Sequence, residues 1–288
     1  MGGLTSNARD GHVIFSEGIA VRRGIGFSVG AGVLGFSMLG VFALPAEAAE
    51  SDVVFSKIVF NGGKPVVVGT TNSVDVSLTF MVKSRVAIKE DFLQVFAYRG
   101  TEGVDYGEFG GLWEQESACR KSTSGGVTTR TCERIVSVDP RGIQGDLRNL
   151  VNSDAKAWKT YGRAFKTAGG SDTDKTSATV RLKRHVKMTV DATPEPVVVG
   201  KTVTVTGKIT RANWTKHRYD GFAGQSVKLQ FKAVGATSYR TVKTVTSSST
   251  GALKATAAAS VDGSWRWSYG GDSITGSQTS VGDYVDVR

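Results

Sequence analysis

The sequence predicts an all-β protein: two tandem β-sandwich domains behind a cleaved signal peptide. Three observations predict it. Short runs alternate apolar and polar residues with period two, as at Val74, Val76, Leu78, Phe80 and Val82, the pattern of a strand with one buried face. The phrase Pro65-Val66-Val67-Val68-Gly69 returns as Pro196-Val197-Val198-Val199-Gly200, each time before an alternating strand, as in an internal repeat. The 288 residues include 36 glycines and 5 prolines, with Val, Thr and Ser filling strand-length runs. Each alternating strand has one apolar face that needs a partner sheet, hence sandwiches.

The chain opens with a different composition. Arg22-Arg23 precedes an almost uncharged run from Gly24 to Leu44, closed by Pro45-Ala46-Glu47-Ala48-Ala49 with its small-residue cleavage pattern. Residues 1–48 therefore read as a signal peptide cut after Ala48. The glycines of the run and the cleavage site behind it argue against a retained transmembrane anchor.

Behind the leader, Val53–Phe60 reads as the first strand, ending at Asn61-Gly62-Gly63, and is followed by Val74–Val82 and Phe92–Tyr98. The span from Pro65 to Tyr161 exceeds that from Pro196 to Tyr269 by about 23 residues, which places an insertion between Gly100 and Val151. A second echo supports the repeat: Asp154 to Gly162 resembles Asp262 to Gly270, with Trp158 and Tyr161 against Trp265 and Tyr269. The alternating run Ser177–Val190 joins the halves. A boundary after Arg184 gives domains of 49–184 and 185–288, expected to fold separately. In the second, Ser226–Lys232, Thr241–Ser247, Leu253–Ala259, Trp265–Tyr269 and Tyr284–Arg288 read as strands.

The two cysteines, Cys119 and Cys132, are equidistant from Gly125-Gly126, a good two-residue hairpin turn, so folding back about it brings them face to face. An isolated pair in an exported protein reads as a structural disulfide, and the spacing is not that of a redox motif.

Catalytic and metal signatures are sparse. His185 and His217 are the histidines behind the leader; there is no G-x-S-x-G elbow and no zinc-type Cys/His spacing. Asp172 and Asp174 resemble a fragment of a calcium loop, but Lys175 intrudes and the sequence reads as a polar hairpin loop. Glu114 and Glu116 beside Trp113 could serve a sugar site or form the solvated side of the insertion. No cofactor and no metal site is predicted.

The best candidate binding surface is the loop Arg211–Gly224, with Trp214, Lys216, Arg218, Tyr219 and Phe222 as binding residues. Aromatic rings among cations can stack on sugars while polar neighbours supply hydrogen bonds. The competing reading makes Trp214, Tyr219 and Phe222 caps on the end of a sandwich core. Asn213-Trp214-Thr215 is also a glycosylation sequon, irrelevant in a bacterial host.

The run from Leu182 to Val197 resembles the joint of a family of secreted, streptomycete-type actinobacterial proteins with a C-terminal Ig-like domain. Val205-Thr206-Gly207-Lys208, Arg211-Ala212-Asn213-Trp214, Val227–Phe231 and the ending Gly282–Arg288 resemble it too. The resemblance covers about 110 residues well and the N-terminal domain weakly. It implies export and an Ig-like fold, and brings no catalytic residue. Some members of that family are loosely labelled calcium-binding.

Net charge is +10. The leader's charges cancel, and the excess is shared evenly by the two halves. Such a balance favours anionic polymers, without the basic-aromatic arrays of specific nucleic-acid binding. The sequence thus predicts a secreted, extracellular, non-enzymatic monomer with no membrane anchor after processing, binding an anionic cell-envelope polymer or polysaccharide. Two competing readings are a secreted hydrolase with its site in 100–151 and a basic inhibitor or toxin aimed at a protein.

Overall fold

The computed structural model describes residues 51–100, 108–110, 118–141 and 149–288. The expected signal peptide and cleavage site, and Trp113, Glu114 and Glu116 of the expected insertion, lie outside them. Among the described residues no helix is long and apolar enough to cross a membrane.

The first sandwich is built from β1 (Val53–Phe60), β2 (Val66–Val68), β3 (Val74–Ser84), β4 (Gln94–Tyr98), β5 (Glu108–Gly110), β6 (Ala118–Ser124), β7 (Val127–Val138), β8 (Ala157–Phe165) and β9 (Ser171–Arg184). One sheet has the order β1-β3-β7-β6 and the other β2-β9-β8-β4-β5. β2 runs parallel to β9 and closes that sheet at its edge, while β4, β8 and β9 pair antiparallel. The four-stranded sheet and the β9-β8-β4 core of its partner reproduce the strand order of an immunoglobulin domain.

The alternation seen in the sequence becomes the core. Phe55, Leu78, Phe80 and Val82 point inward from one sheet, Val95, Trp158 and Leu182 from the other, and all are buried. Tyr161 is buried on the outer face, against Phe96 and Tyr98. The sheets meet closely at Gly162, where a Cβ would lie 2.2 Å from the Phe55 ring. Trp158 donates its indole N–H to the Asp154 carbonyl at 2.8 Å, so its polar edge is satisfied inside the core.

The second sandwich comprises β10 (Val186–Thr193), β11 (Thr202–Asn213), β12 (Arg218–Gly221), β13 (Ser226–Ala233), β14 (Arg240–Thr246), β15 (Ala252–Ala258), β16 (Gly263–Tyr269), β17 (Gln278–Thr279) and β18 (Asp283–Val285). Its first sheet runs β10-β11-β12, and the long β11 also pairs with β15. Its second runs β14-β13-β16, with β17 and β18 both on β16. Val203, Val205, Ile209, Leu229, Phe231, Leu253, Trp265 and Trp267 fill the space between the sheets.

Both echoes in the sequence occupy equivalent places. β2, from the first Pro-Val-Val-Val-Gly, lies parallel to the last strand of its sandwich, with Val66 opposite Leu182. In the second, Val197 forms a parallel bridge to Val287, and Val199 N–H donates to the Arg288 carbonyl at 2.8 Å. The Trp-Tyr echo falls on β8 and β16, each in the middle of its sheet.

Other expectations need correction. Phe92 belongs to a short 3-10 turn, Glu90–Phe92, and β4 begins two residues later; its ring packs edge-on against Phe165 with centroids 6.2 Å apart. The helical turn expected over Gly145–Val151 falls partly outside the described residues, and a 3-10 turn follows it at Asn152–Asp154. Asp172 and Asp174 lie in β9, not in a loop, because Gly169 and Gly170 make the turn with φ of +107° and +77°.

β9 ends at Arg184 and β10 begins at Val186, so the chain passes between sandwiches through His185 alone. The cores, however, are not separate. Ala212 and Trp214 of the second sandwich pack into the first sandwich's core cluster, and the two sandwiches belong to one compact unit.

Candidate functional site

Three places could carry function: the cystine hairpin, the loop at the joint, and the solvent face of the β13-β14-β16 sheet. The hairpin forms as the spacing predicts. Gly125 and Gly126 adopt φ of +57° and +75°, the backbone of a two-residue turn that only glycine adopts freely. Cys119 then stands opposite Cys132 in the β6-β7 register, and the two are joined by a disulfide. Beside it Glu90 accepts from Lys121 Nζ at 2.8 Å and from Arg130 Nη2 at 2.9 Å. Hydrogen bonds from Lys121 and Arg130 hold the Glu90 carboxyl below its ordinary range. Cross-strand staples of this kind make a rigid hairpin.

The expected loop Arg211–Gly224 is a tight hairpin, the end of β11 turning through Trp214–His217 into β12. It forms the joint itself, and its aromatic residues are spent on packing. Trp214 is fully buried. Its indole N–H donates to the Val68 carbonyl at 3.2 Å, and the same carbonyl accepts the His185 backbone N–H at 2.9 Å. Asn152 accepts from the Trp214 backbone N–H at 3.0 Å and donates to Asn213 Oδ1 at 3.0 Å. Phe222 is buried edge-on against Tyr269, with Arg211 over its ring at 4.0 Å. Tyr219 is half-buried, bonded to His185 Nδ1 at 3.0 Å, with Lys187 Nζ 4.2 Å from its ring centre. Lys216 and Arg218 remain exposed, Arg218 paired with Asp220 at 2.8 Å. The cation–aromatic attraction that marked this loop as a ligand surface is satisfied within the protein.

Arg184 completes the joint. It is buried, its Nε donates to the Ala212 carbonyl at 2.6 Å, and its backbone bonds Ile274 and Gly276 of the second sandwich. Burial, then the nearby Arg211, push the guanidinium down to about 10, with Asp220 and Asp272 opposing. Burial, then Lys187, likewise lower the His185 imidazole. Burial, then Asp272, raise the Tyr269 hydroxyl to about 12. His185 is thus a neutral joint residue at physiological pH; His217, at the loop apex, is exposed with a φ of +49°.

The third place was not singled out from the sequence. β13 alternates Val227, Leu229 and Phe231 inward with Lys228, Gln230 and Lys232 outward. Arg266 on β16 stands in register with Gln230, and its Nε donates to Gln230 Oε1 at 2.9 Å. Its guanidinium lies 3.7 Å from the centre of the Tyr239 ring, and Lys232 Nζ lies 5.3 Å from the same ring. The outward Lys228, Lys232 and Arg266 were legible as an alternating basic pattern; that Tyr239 folds onto them was not, because it comes from the turn before β14.

Among the described residues no group of three His, Cys, Asp or Glu could hold a metal ion. Asp172 and Asp174 are engaged otherwise, accepting from Ser51 Oγ at 3.1 Å and from the Phe55 backbone N–H at 2.7 Å.

These features define a class: a pair of immunoglobulin-like β-sandwiches locked at a buried joint, with a basic sheet face. No family model matches the sequence, and no curated protein matches it significantly. Among solved structures, the chain is similar to latent PorU from Porphyromonas gingivalis, at 12% identity and a TM-score of 0.26 over 82% of this chain and 20% of that one. It is similar to the Ig1–Ig3 ectodomain of mouse nectin-like molecule 4, at 14% identity and a TM-score of 0.27 over 82% of this chain and 64% of that one. The D00-D0 domain of intimin aligns at 12% identity and a TM-score of 0.26 over 81% of this chain and 99% of that one. Scores this low say nothing about function, and it is the strand order that defines the class.

Proposed function

We propose that this is an exported, non-enzymatic binding protein that holds an anionic cell-envelope polymer or polysaccharide. One observation carries the reading: from Lys187 to Arg266, Arg218 is the one cation with a described carboxylate partner, and Lys228, Lys232, Arg240, Lys243, Lys254 and Arg266 have none among the described residues. Cations that proteins do not neutralise internally attract polyanions from solution. Export is supported by the leader's composition and by the Cys119–Cys132 bridge, since such bridges persist in oxidising compartments. The streptomycete-type resemblance supplies a bacterial envelope as the setting. An immunoglobulin-like fold by itself names no ligand.

The test is sedimentation of the mature chain with purified bacterial walls, before and after removal of their anionic polymers, across a salt series. Binding should vanish with the polymers and weaken steeply above physiological salt, where screening acts within about 8 Å. Binding indifferent to both treatments would overturn the reading.

A further inference from the structure

Building on that proposed function, we infer that the polymer is held at one built site, the solvent face of β13-β14-β16, with the Arg266 guanidinium as its oxyanion-binding centre. Two contacts set that guanidinium's plane: the Tyr239 ring 3.7 Å away and the Nε bond to Gln230. Neither uses its terminal nitrogens, and Arg266 has no ion pair among the described residues. A fork held in plane with its outer N–H groups unspent is the form of arginine that binds carboxylate or phosphate in two-pronged fashion, with little entropy left to lose.

Its neighbours extend the site. Lys228 and Lys232 share the outward face of β13 on either side of Gln230, about 13 Å apart at roughly 3.3 Å per residue, with Arg266 in register midway. Ser264 stands opposite Lys232 and Ser268 opposite Lys228, while Thr244 flanks Lys228 from β14, so hydroxyls lie between the cations. The nearby acids are turned aside or terminal: Asp283 accepts the Ala192 backbone N–H at 2.6 Å, and Asp262 accepts the Val287 N–H at 2.8 Å beyond the end of the row. Tyr239 is seated by Gly282, where a Cβ would lie 2.6 Å from the tyrosine hydroxyl.

The occupant this chemistry fits is a flexible carbohydrate polymer with a repeating oxyanion. Three uncompensated cations in a row recognise regularly spaced charge, and the serine and threonine hydroxyls suit sugar or polyol hydroxyls. Tyr239 is covered by Arg266 and offers no open ring for base stacking within the row. Tyr284, opposite Ser264 at the Lys232 end of the face, is exposed and suited to stack on a sugar ring.

The experiment compares the mature chain with K232Q/R266Q and with a charge-matched pair on the first sandwich, K156Q/K159Q, whose lysines are exposed and unpaired among the described residues. Affinity is measured for a polyglycerol phosphate, for a polyuronate and for single-stranded DNA, and melting curves check each fold. K232Q/R266Q should lose at least about tenfold in affinity for whichever glycopolymer binds, and K156Q/K159Q less than about twofold. Phosphate or carboxylate as the tighter arm tells the source of the oxyanion, and either supports the site. Should K232Q/R266Q melt early, K228Q/K232Q, which leaves the Arg266–Tyr239 stack intact, reads the same loss. Equal losses in both pairs would overturn the site while leaving the proposed function standing. No binding by the unaltered chain would overturn both, and tighter binding of DNA would overturn the carbohydrate occupant.

Discussion

The two sandwiches share a strand plan and divide sharply in how they treat charge. In the first, cations meet carboxylates across strands: Lys121 and Arg130 converge on Glu90, Arg99 meets Asp154, and Lys166 reaches Asp52 at 3.0 Å and Asp172 at 3.8 Å. In the second, the ion pairs among the described residues are the local Arg218–Asp220 and Arg288–Asp286, and the sheet face around Arg266 is left positive. Equal net charge in the two halves therefore hides different surfaces. Several cations are tied to carboxylates distant in sequence in the first sandwich and, among the described residues, none around Arg266 in the second, which even counting along the sequence does not reveal.

The repeated phrase makes a second contrast. Val66 and Val68 are buried, and Gly276 sits so close to Val67 that a Cβ there would lie 2.7 Å from it. Val198 and Val199 are 58% and 59% exposed. The first valine of each copy, Val66 and Val197, is buried in its own sandwich. The copies differ after it, where Val67 packs against Gly276 of the neighbouring sandwich and Val198 and Val199 are covered by nothing described.

The largest expected effect lies at the joint. Trp214→Ala should cost about 3–5 kcal/mol in chemical denaturation, the range for removing a buried Trp or Phe, and should destabilise both sandwiches together. The fragment 185–288, expected from the sequence to fold alone, leaves Trp214 uncovered and should melt well below the intact chain. A Trp214→Ala cost under about 1 kcal/mol would separate the sandwiches again. The joint also rules out Trp214→Ala as a probe of ligand stacking, since its loss would be read as unfolding.

Next is the hairpin. The C119S/C132S chain should lose about 3 kcal/mol, the chain-entropy value for a loop of this size, with glycopolymer affinity unchanged because the bridge lies in the first sandwich. A parallel loss of binding would place the site in the wrong half.

A smaller pair of changes sharpens the contrast between the repeats. Val68→Ala should cost about 2 kcal/mol for lost buried methyl groups, whereas Val199→Ala should stay within about 0.5 kcal/mol. Similar costs would mean the second copy is also covered.

The smallest effect is in pH. His185 titrates below its ordinary 6.5 in the folded chain, so the unfolded chain takes up its proton first as pH falls. Its contribution is fully present above about pH 6.5 and is lost as pH drops through the lowered folded value. His185→Gln should flatten the stability profile in that window, as read by melting temperature against pH. An unchanged profile would show that the joint is open to solvent.

Much of the fold was legible because strand alternation is local: Val53–Phe60 and its turn, the β3 face from Val74 to Val82, and the cystine register about Gly125-Gly126 follow from neighbours alone. The joint was not. Trp214 among Lys216, Arg218 and Tyr219 has the composition of a ligand loop, and only its bond to Val68, 146 residues earlier, makes it core. The Arg266 face fails for the same reason. Lys228 and Lys232 announce a basic strand, yet the guanidinium is organised by Tyr239 and Gln230 from other segments, and pairing across strands is not written in either segment.

The central claim, that the second sandwich alone presents an organised polyanion site, is tested most directly by hydrogen–deuterium exchange of the mature chain with and without a saturating anionic glycopolymer. Protection should appear in residues 226–246 and 263–269 and be absent from 53–84 and 118–138. Protection spread evenly over both sandwiches, or centred on 214–222, would contradict it.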